Sequence, residues 1–380
     1  MAITNNELSR DWRVLKFKDC IIQLNTGLNP RSNFSLGTGT IKYITAKNLT
    51  KYGTIDFSKC DYINDEAKRI INRRSDIKIG DILLSSRAPI GHCHLIKDEP
   101  KDYDIGESIF SIRVNKKVVL PEYLCLYLAS DFFVKLASKH TTGSIIQEIR
   151  IGDLMGTEVI VPPVDIQESI SRCMSKIYRK IELNDMVNDN LQQMAYTEYM
   201  HMFYGKKPNG NLGDIIVENP KSSIQVGDAK NVSGEIPFFT SGETILKWHK
   251  ALVNGRNCYL NTGGNADVKF YVGRSAYSTD TWCITAENNL TDYLYLLLDS
   301  IRSELDLKYF QGTGLKHLQK PLLKDRTIYI PSQNELSGFN ADVQPLLSMI
   351  SDNIRESEEL KSLRDWLLPM LINGQSTITD

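Results

Sequence analysis

The chain has 380 residues, of which 41% are hydrophobic and 24% charged. That length exceeds one ordinary hydrophobic core, and the composition excludes collagen-like or wholly disordered chains. With 45 Lys+Arg against 46 Asp+Glu the formal net charge is −1, so bulk charge gives no argument for a polyanion partner, which would have to be held by local patches.

The first residues, MAITNNELSRDW, show no basic segment followed by an apolar run, and no stretch approaches the ~18 consecutive apolar residues of a membrane span. Seven scattered cysteines with no CxxC pair fit a reducing compartment better than a disulfide scaffold. The expectation is a soluble, cytoplasmic protein.

In chain order, six segments of the first half recur in the second. They are LKFKDCII (15–22) with LGDIIV (212–217), IKYIT (41–45) with IPFFTSG (236–242), ESIFSIRV (107–114) with TDTWCITA (279–286), PEYLCLYL (121–128) with TDYLYLLL (291–298), TTGS (141–144) with GTGL (312–315), and EVIVPP (158–163) with TIYIPS (327–332). Six pairs in one order imply an internal duplication. Strand-length apolar or alternating runs fall at 79–84, 108–114, 158–161, 257–260 and 327–330, whereas 121–137 and 291–305 read as helices that open on a residue suited to a helix start. Each half is therefore mixed α and β.

After each Pro-containing stop the apolar period changes from two to seven. Ile166, Ile170, Cys173, Ile177, Lys180, Asn184, Val187, Leu191 and Met194 give a 4-3 spacing over 165–203. Phe339, Val343, Leu346, Ile350, Asn353, Ser357, Leu360, Arg364, Leu367 and Leu371 give one over 334–371 with a polar centre, and Leu363 aligns with Met194 across the repeat. Two helices of roughly 38 residues, about 57 Å long, with incomplete apolar seams need partners, because helical stability comes mainly from packing. Intradomain packing or a homodimeric coiled coil would supply them. So would an antiparallel pair inside the chain, with a globular part at each end related by a pseudo-twofold axis, and the duplication favours that arrangement.

Charge by segment separates the parts. Residues 1–160 hold 23 basic and 19 acidic residues (+4), 206–335 hold 15 and 14 (+1), 161–205 hold 4 and 6 (−2), and 336–380 hold 3 and 7 (−4). The globular parts are thus the seats for any polyanion footprint. In the first, Arg69, Arg73 and Arg74 cluster, and Ser85, Ser86 and Arg87 lie in SSRAPIG after a strand-like run; Arg can read guanine or clamp phosphate, and Ser hydroxyls suit phosphate oxygens. The equivalent place in the second carries Asn261, Thr262, Gly263, Gly264, Asn265 and Lys269, where glycines allow close backbone approach and Asn suits adenine. The paired loops add Thr141, Thr142, Gly143, Ser144 and Gln147 in one half, and Thr313, Gly314, Lys316 and His317 in the other. Each loop alone reads equally as a tight surface turn.

Catalytic signatures are missing from the sequence: it has no GxxxxGK[ST], HExxH or GxSxG, and no DPPY-like tetrapeptide. His92 and His94 form an HxH without a further spaced ligand group, so no metal site is expected.

A duplicated chain in which each β-rich part runs through I-V-P-P or I-Y-I-P-S into a long helix resembles the DNA-specificity subunit of Type I restriction-modification enzymes. The motifs that carry the likeness are GDILLSSRAPIG (80–91), TTGSIIQEI (141–149) and VPPVDIQESI (161–170), with weaker counterparts GTGLKHL (312–318) and IPSQNEL (330–336). The resemblance implies an α+β fold. Target recognition domains would occupy 1–160 and 206–333, alternating with a central helix at 161–205 and a distal helix and tail at 334–380 that pair as an antiparallel coiled coil. It further implies a non-catalytic subunit that binds double-stranded DNA at a bipartite target and docks two methyltransferase subunits, with restriction subunits joining. S-adenosylmethionine, ATP and Mg would sit on those partners and no cofactor on this chain. On this view Ile166, Ile170, Ile177, Leu191, Met194, Val343, Ile350, Leu360, Leu363 and Leu367 pack helices or subunits. The competing expectation is a non-catalytic scaffold of a related defence complex with one degenerate recognition domain, because NTGG replaces the SSRAPIG-like loop in the second half.

Overall fold

The computed structural model describes residues 11–51, 53–138, 148–230, 232, 234–242, 244–376 and 378. Thr141, Thr142, Gly143, Ser144 and Gln147 lie outside the described residues. Two units divide the chain: Met1–Arg179 with Lys361–Asp380, and Lys180–Leu360.

The first unit contains β1 (Arg13–Lys16), β2 (Ile21–Thr26), β3 (Ile41–Ile44), β4 (Asp61–Ile63), α1 (Asp65–Asn72), β5 (Asp81–Ser85), β6 (Cys93–Leu95), β7 (Tyr103–Ile105), β8 (Ile109–Val114), α2 (Pro121–Ala129), α3 (Asp131–Ser138), α4 (Ile151–Gly156) and β9 (Glu158–Val161). Its strands form a four-stranded antiparallel sheet in the order β2-β8-β5-β6, a three-stranded sheet β4-β3-β7 and the pair β1-β9. β5 is a central strand because every residue of DILLS is buried, as a short apolar run between turn signals requires. The helix expected over 121–137 breaks at Ser130, whose backbone is extended. Its hydroxyl donates to the Tyr127 carbonyl at 2.6 Å and accepts from the Phe133 N–H at 3.2 Å. Ser-Asp thus ends one helix and caps the next, as short oxygen-bearing side chains do.

α5 (Val164–Phe203) leads into the second unit, where β10 (Gly210–Asn211), β11 (Ile216–Glu218), α6 (Val226–Ala229), β12 (Ile236–Phe239), β13 (Leu246–Trp248), β14 (Arg256–Asn261), β15 (Val268–Val272), β16 (Ala276–Tyr277), β17 (Thr281–Ala286), α7 (Thr291–Ser300), α8 (Arg302–Glu304), β18 (Phe310–Gln311), β19 (His317–Leu318), α9 (Lys320–Lys324), β20 (Thr327–Ile328) and α10 (Gln333–Ile372) follow. The strand orders are β11-β17-β14-β15, β13-β12-β16, β10-β20 and β18-β19. The first three reproduce those of the first unit strand for strand, including the parallel pairs β3-β7 and β12-β16. The duplication read from six segments is therefore a duplication of topology. The helix expected over 291–305 stops at Ser300 and continues as a short turn and one π-helical turn at Leu305–Tyr309.

α5 and α10 are 40 residues each and contact one another antiparallel. Within the second unit the Phe203 and Phe339 rings lie 5.1 Å apart, Asn353 Nδ2 donates to Asn188 Oδ1 at 2.8 Å, Asn184 Nδ2 donates to Ser357 Oγ at 3.2 Å, and Lys180 pairs with Glu356 at 2.9 Å. Numbers fall on one helix as they rise on the other. Within the first unit the Arg364 guanidinium lies 5.5 Å from the Tyr178 ring centre.

The phase of the α5 seam differs from the expected one at every second position. Ile170, Ile177, Asn184 and Leu191 are buried, but Met174, Ile181 and Ala195 are buried in place of the expected Cys173, Lys180 and Met194, each one place further on, and the expected Val187 is exposed. Ile166 is half-buried and Met194 is 57% exposed. On α10, Val343 is buried, Ile350, Leu360 and Leu367 are half-buried, and Leu363 is exposed. Leu336, Phe339, Val343 and Leu347 close one core with Tyr199 and Phe203 of α5, Leu294 and Leu297 of α7, and Leu260 and Ile284 of the sheet. α10 thus has two buried faces, which a single heptad seam cannot represent. Among the described residues no helix is long and apolar enough to cross a membrane.

Candidate nucleic-acid interface

Each four-stranded sheet carries one hairpin, β5–β6 or β14–β15, whose tip holds the loop residues singled out in the sequence. In the first unit the tip is anchored by Ser86 N–H to the Ser108 carbonyl (2.9 Å), Ile149 N–H to the Ser86 carbonyl (2.8 Å) and a bridge between Arg87 and Glu148. In the second, Thr262 N–H reaches the Asp280 carbonyl (3.0 Å), Leu318 N–H the Thr262 carbonyl (3.0 Å), and Gly263 bridges His317. Backbone is therefore bound to backbone by one scheme in both. Segments distant in sequence meet there: the end of TTGSIIQEI meets SSRAPIG, and GTGLKHL meets NTGGN.

The side chains at the two tips differ. Ser85 is fully buried and donates its hydroxyl to the Pro89 carbonyl, and Ser86 is 2% exposed. Asn261, 3% exposed, donates to the carbonyls of Gly263 and Asn265 and accepts from Asp267 N–H at 2.8 Å. Ser85 and Asn261 thus brace their turns from inside, with hydrogen-bonding capacity directed at the loop backbone. Lys269 pairs with Asp267 at 2.8 Å and donates to the carbonyls of Thr240 and Gly242 at 3.1 and 2.7 Å. Lys316 pairs with Asp306 at 3.2 Å.

Arg87 stands between two carboxylates. Its Nε donates to Glu148 Oε1 at 3.2 Å and its Nη1 to Glu107 Oε1 at 3.1 Å, and all three side chains are partly exposed. Neither glutamate was singled out in the sequence. The backbone bridges equate Glu148 with His317, whereas pairing TTGS with GTGL in the sequence sets it opposite Gln319, so the repeat did not mark it.

Asn265, Thr313, Gly314 and His317 are exposed on the second tip, and Thr262, Gly263 and Gly264 are half-exposed. The Gly264 N–H donates to the Lys316 carbonyl at 3.0 Å. Gly312 holds φ +152°, and a Cβ there would lie 2.6 Å from the Leu315 carbonyl oxygen, so only glycine closes this loop. Arg73 and Arg74 are exposed with Arg69 at the C-terminal end of α1, and among the described residues none of the three is ion-paired. They belong to a different element from the hairpin tip. His92 and His94 hydrogen-bond through Nδ1 to the carbonyls of Leu49 and Gly53, which ties both residues to β6 and the residue before it. Burial holds the His94 ring below the usual imidazole range. No group of three or more His, Cys, Asp or Glu that could hold a metal occurs among the described residues.

Two similarly anchored tips thus stand on a duplicated scaffold. The family described as the Type I restriction modification DNA specificity domain matches residues 10–193 and again 206–344. The chain belongs to that family. Among specificity subunits, it is 25% identical over 419 residues to the Type I restriction enzyme MjaIX specificity subunit of Methanocaldococcus jannaschii, covering 98% of this chain and 95% of that protein. It is 29% identical over 203 residues to the HindI specificity subunit of Haemophilus influenzae, covering 52% and 42% of the two chains. The crystal structure of the Type I restriction-modification S subunit from M. genitalium superposes with a TM-score of 0.58 at 15% identity, covering 98% of each chain, a likeness of fold. Membership of this family gives the chain a DNA-specificity role.

Proposed function

We propose that this chain is the non-catalytic subunit that gives a Type I restriction-modification complex its DNA sequence. Each target recognition domain, residues 1–160 and 206–333, reads one half of a bipartite double-stranded target. The helical segments 161–205 and 334–380 set the unread spacer and dock two methyltransferase subunits. Restriction subunits join the same complex, and S-adenosylmethionine, ATP and Mg belong to the partners. The observation that carries this reading is the repeated hairpin tip, fixed by the same backbone hydrogen bonds in both units while its side chains differ. Rigid backbone with variable side chains is what base reading needs, since phosphate contacts position a protein and base contacts specify the sequence.

The loop residues proposed to face DNA are Arg87, Thr141, Thr142, Gly143, Ser144 and Gln147 in the first domain, and Thr262–Asn265, Thr313, Gly314, Lys316 and His317 in the second. Arg73 and Arg74 supply phosphate contacts. Ser85, Asn261 and Lys269 support the loops from behind. The test is DNA protection by the chain assembled with its modification subunits, together with methylation mapping in cells. Two short protected tracts separated by a fixed gap are the expected result. One tract would assign the second domain a degenerate role, and no protection would leave a scaffold.

A further inference from the structure

The charges around Arg87 do not suit a phosphate clamp. Two carboxylates, Glu107 and Glu148, hold one guanidinium at 3.1 and 3.2 Å, so the cluster carries a net charge of −1 and repels a phosphodiester. It does not repel a neutral base. Its Nη2 has no partner among the described residues, so the outer edge of the guanidinium keeps donors to offer, while the two charge-assisted bonds fix the plane of the fork. The backbone beneath it is pinned by the Arg87–Glu148 bridge and the Ile149 to Ser86 hydrogen bond.

We infer that Arg87 reads the major-groove edge of a guanine, oriented by Glu107 and Glu148. Guanine alone offers two neighbouring acceptors, N7 and O6, in the major groove, and the arginine fork matches them. The carboxylate oxygens not used on Arg87 are acceptors for a cytosine N4 amino group beside it. In the second unit Thr279, Gly263 and His317 take the places of Glu107, Arg87 and Glu148, with no Arg–carboxylate cluster, so the guanine belongs to one half-site alone. Arg73 and Arg74, exposed and without ion pairs among the described residues, are the contrasting pair that suits phosphate. This assignment rests on the DNA-reading function proposed above.

The experiment uses the full chain assembled with its modification subunits and measures binding to a library of duplexes at several salt concentrations. Arg87→Lys keeps the charge and loses the fork; Arg87→Gln removes the charge; assembly is checked by gel filtration. Both variants should lose preference for guanine at one position of one half-site by roughly ten- to a hundredfold. The other half-site and the slope of log K against log salt should stay unchanged. Glu107→Gln with Glu148→Gln should weaken that guanine preference while tightening binding to unrelated DNA. The paired control, Arg73→Ala with Arg74→Ala, should weaken all sequences alike and make the salt slope shallower by about one for each phosphate no longer neutralised. Weakening that is equal on every sequence for Arg87→Lys and Arg87→Gln, with a shallower slope for Arg87→Gln, would make Arg87 a phosphate ligand and overturn the assignment. Unchanged preference at every position would make it a structural ion pair. A wild-type complex with no preference at all would sink the DNA-reading function and the guanine assignment together.

Discussion

Arg256 offers the most direct test of how the second unit is held to α10. Its guanidinium donates to both oxygens of Asp292 at 2.6 to 2.9 Å, to Ser348 Oγ at 3.1 Å and to the Gln344 carbonyl at 3.0 Å. One side chain on β14 thus clasps the start of α7 and the middle of α10. The Asp292 side chain is 1% exposed, and burial pushes its carboxyl upward against the opposing pull of Arg256. Removing the arginine leaves a buried carboxylate without its counter-charge, so Arg256→Ala should destabilise the unit by about 3–5 kcal/mol. Urea unfolding followed by Trp248 and Trp282, with Trp12 and Trp366 replaced by Phe, reports on this unit alone. The midpoint should fall by roughly 1–2 M for a slope near 2–3 kcal/mol per M. The pH dependence has a definite sign. With the folded pKa of Asp292 raised, the cost vanishes below the unfolded value near 4, grows as pH rises through the folded value and is full above it, so the defect should shrink from pH 8 toward pH 4. Arg256→Met with Asp292→Leu, which removes both charges, should recover most of the loss. A shift of the single variant below about 1 kcal/mol, or a double variant no better than the single, would refute the reasoning.

Asp104 is fully buried on β7, one of its oxygens has no partner among the described residues, and burial pushes its carboxyl up to about 7. The cost of its charge is absent below about pH 4 and full above pH 7, so Asp104→Asn should gain stability over wild type as pH rises through that window, measured by hydrogen exchange across β3 and β7. Phe203→Ala should cost about 3–5 kcal/mol in urea unfolding, because the ring packs at 5.1 Å against both Tyr293 and Phe339. Gly312→Ala should disorder the β18–β19 loop and weaken DNA binding without lowering the unit's unfolding free energy by more than about 1 kcal/mol, since the atoms nearest its Cβ are the loop's own backbone. Inserting four residues near Asp189 of α5, roughly 6 Å of helix, should change the methylated spacer by one or two base pairs and leave the half-site bases unchanged, read by methylation mapping.

What the sequence disclosed, and what it hid, follows from where each signal is stored. IKYI and IPFF could be matched across the chain because both are core-facing strands, β3 and β12, at the centre of equivalent sheets, where burial limits the side chains that fit. The two long helices were legible to within a residue or two at each end. Their seam was not, because each turn of α5 offers two adjacent candidates, Cys173 or Met174, Lys180 or Ile181, Met194 or Ala195. The buried member is chosen by the facing helix and sheet, which a one-dimensional period does not contain. Ser130 was hidden for another reason: a Ser-Asp step inside an apolar helix is tolerable, and only its capping geometry shows that it divides the helix.

At the tips the same limit separates backbone from side chain. Ser85 and Asn261 do one job, satisfying the carbonyls of a tight turn, through unlike groups. Sequence similarity cannot reveal that equivalence, and residue type alone points outward to DNA rather than inward. Glu107 and Glu148 reach Arg87 from segments 20 and 61 residues away, so their role exists only in the fold. The consequence for recognition is physical. Because main-chain hydrogen bonds and a buried brace fix the turn, the residue at Arg87 or Gly263, and at Glu148 or His317, can differ without altering the shape that presents it. A duplicated domain built this way can present two unlike sets of tip residues on one scaffold, and exchanging them costs little stability as long as the residues behind the turn are kept.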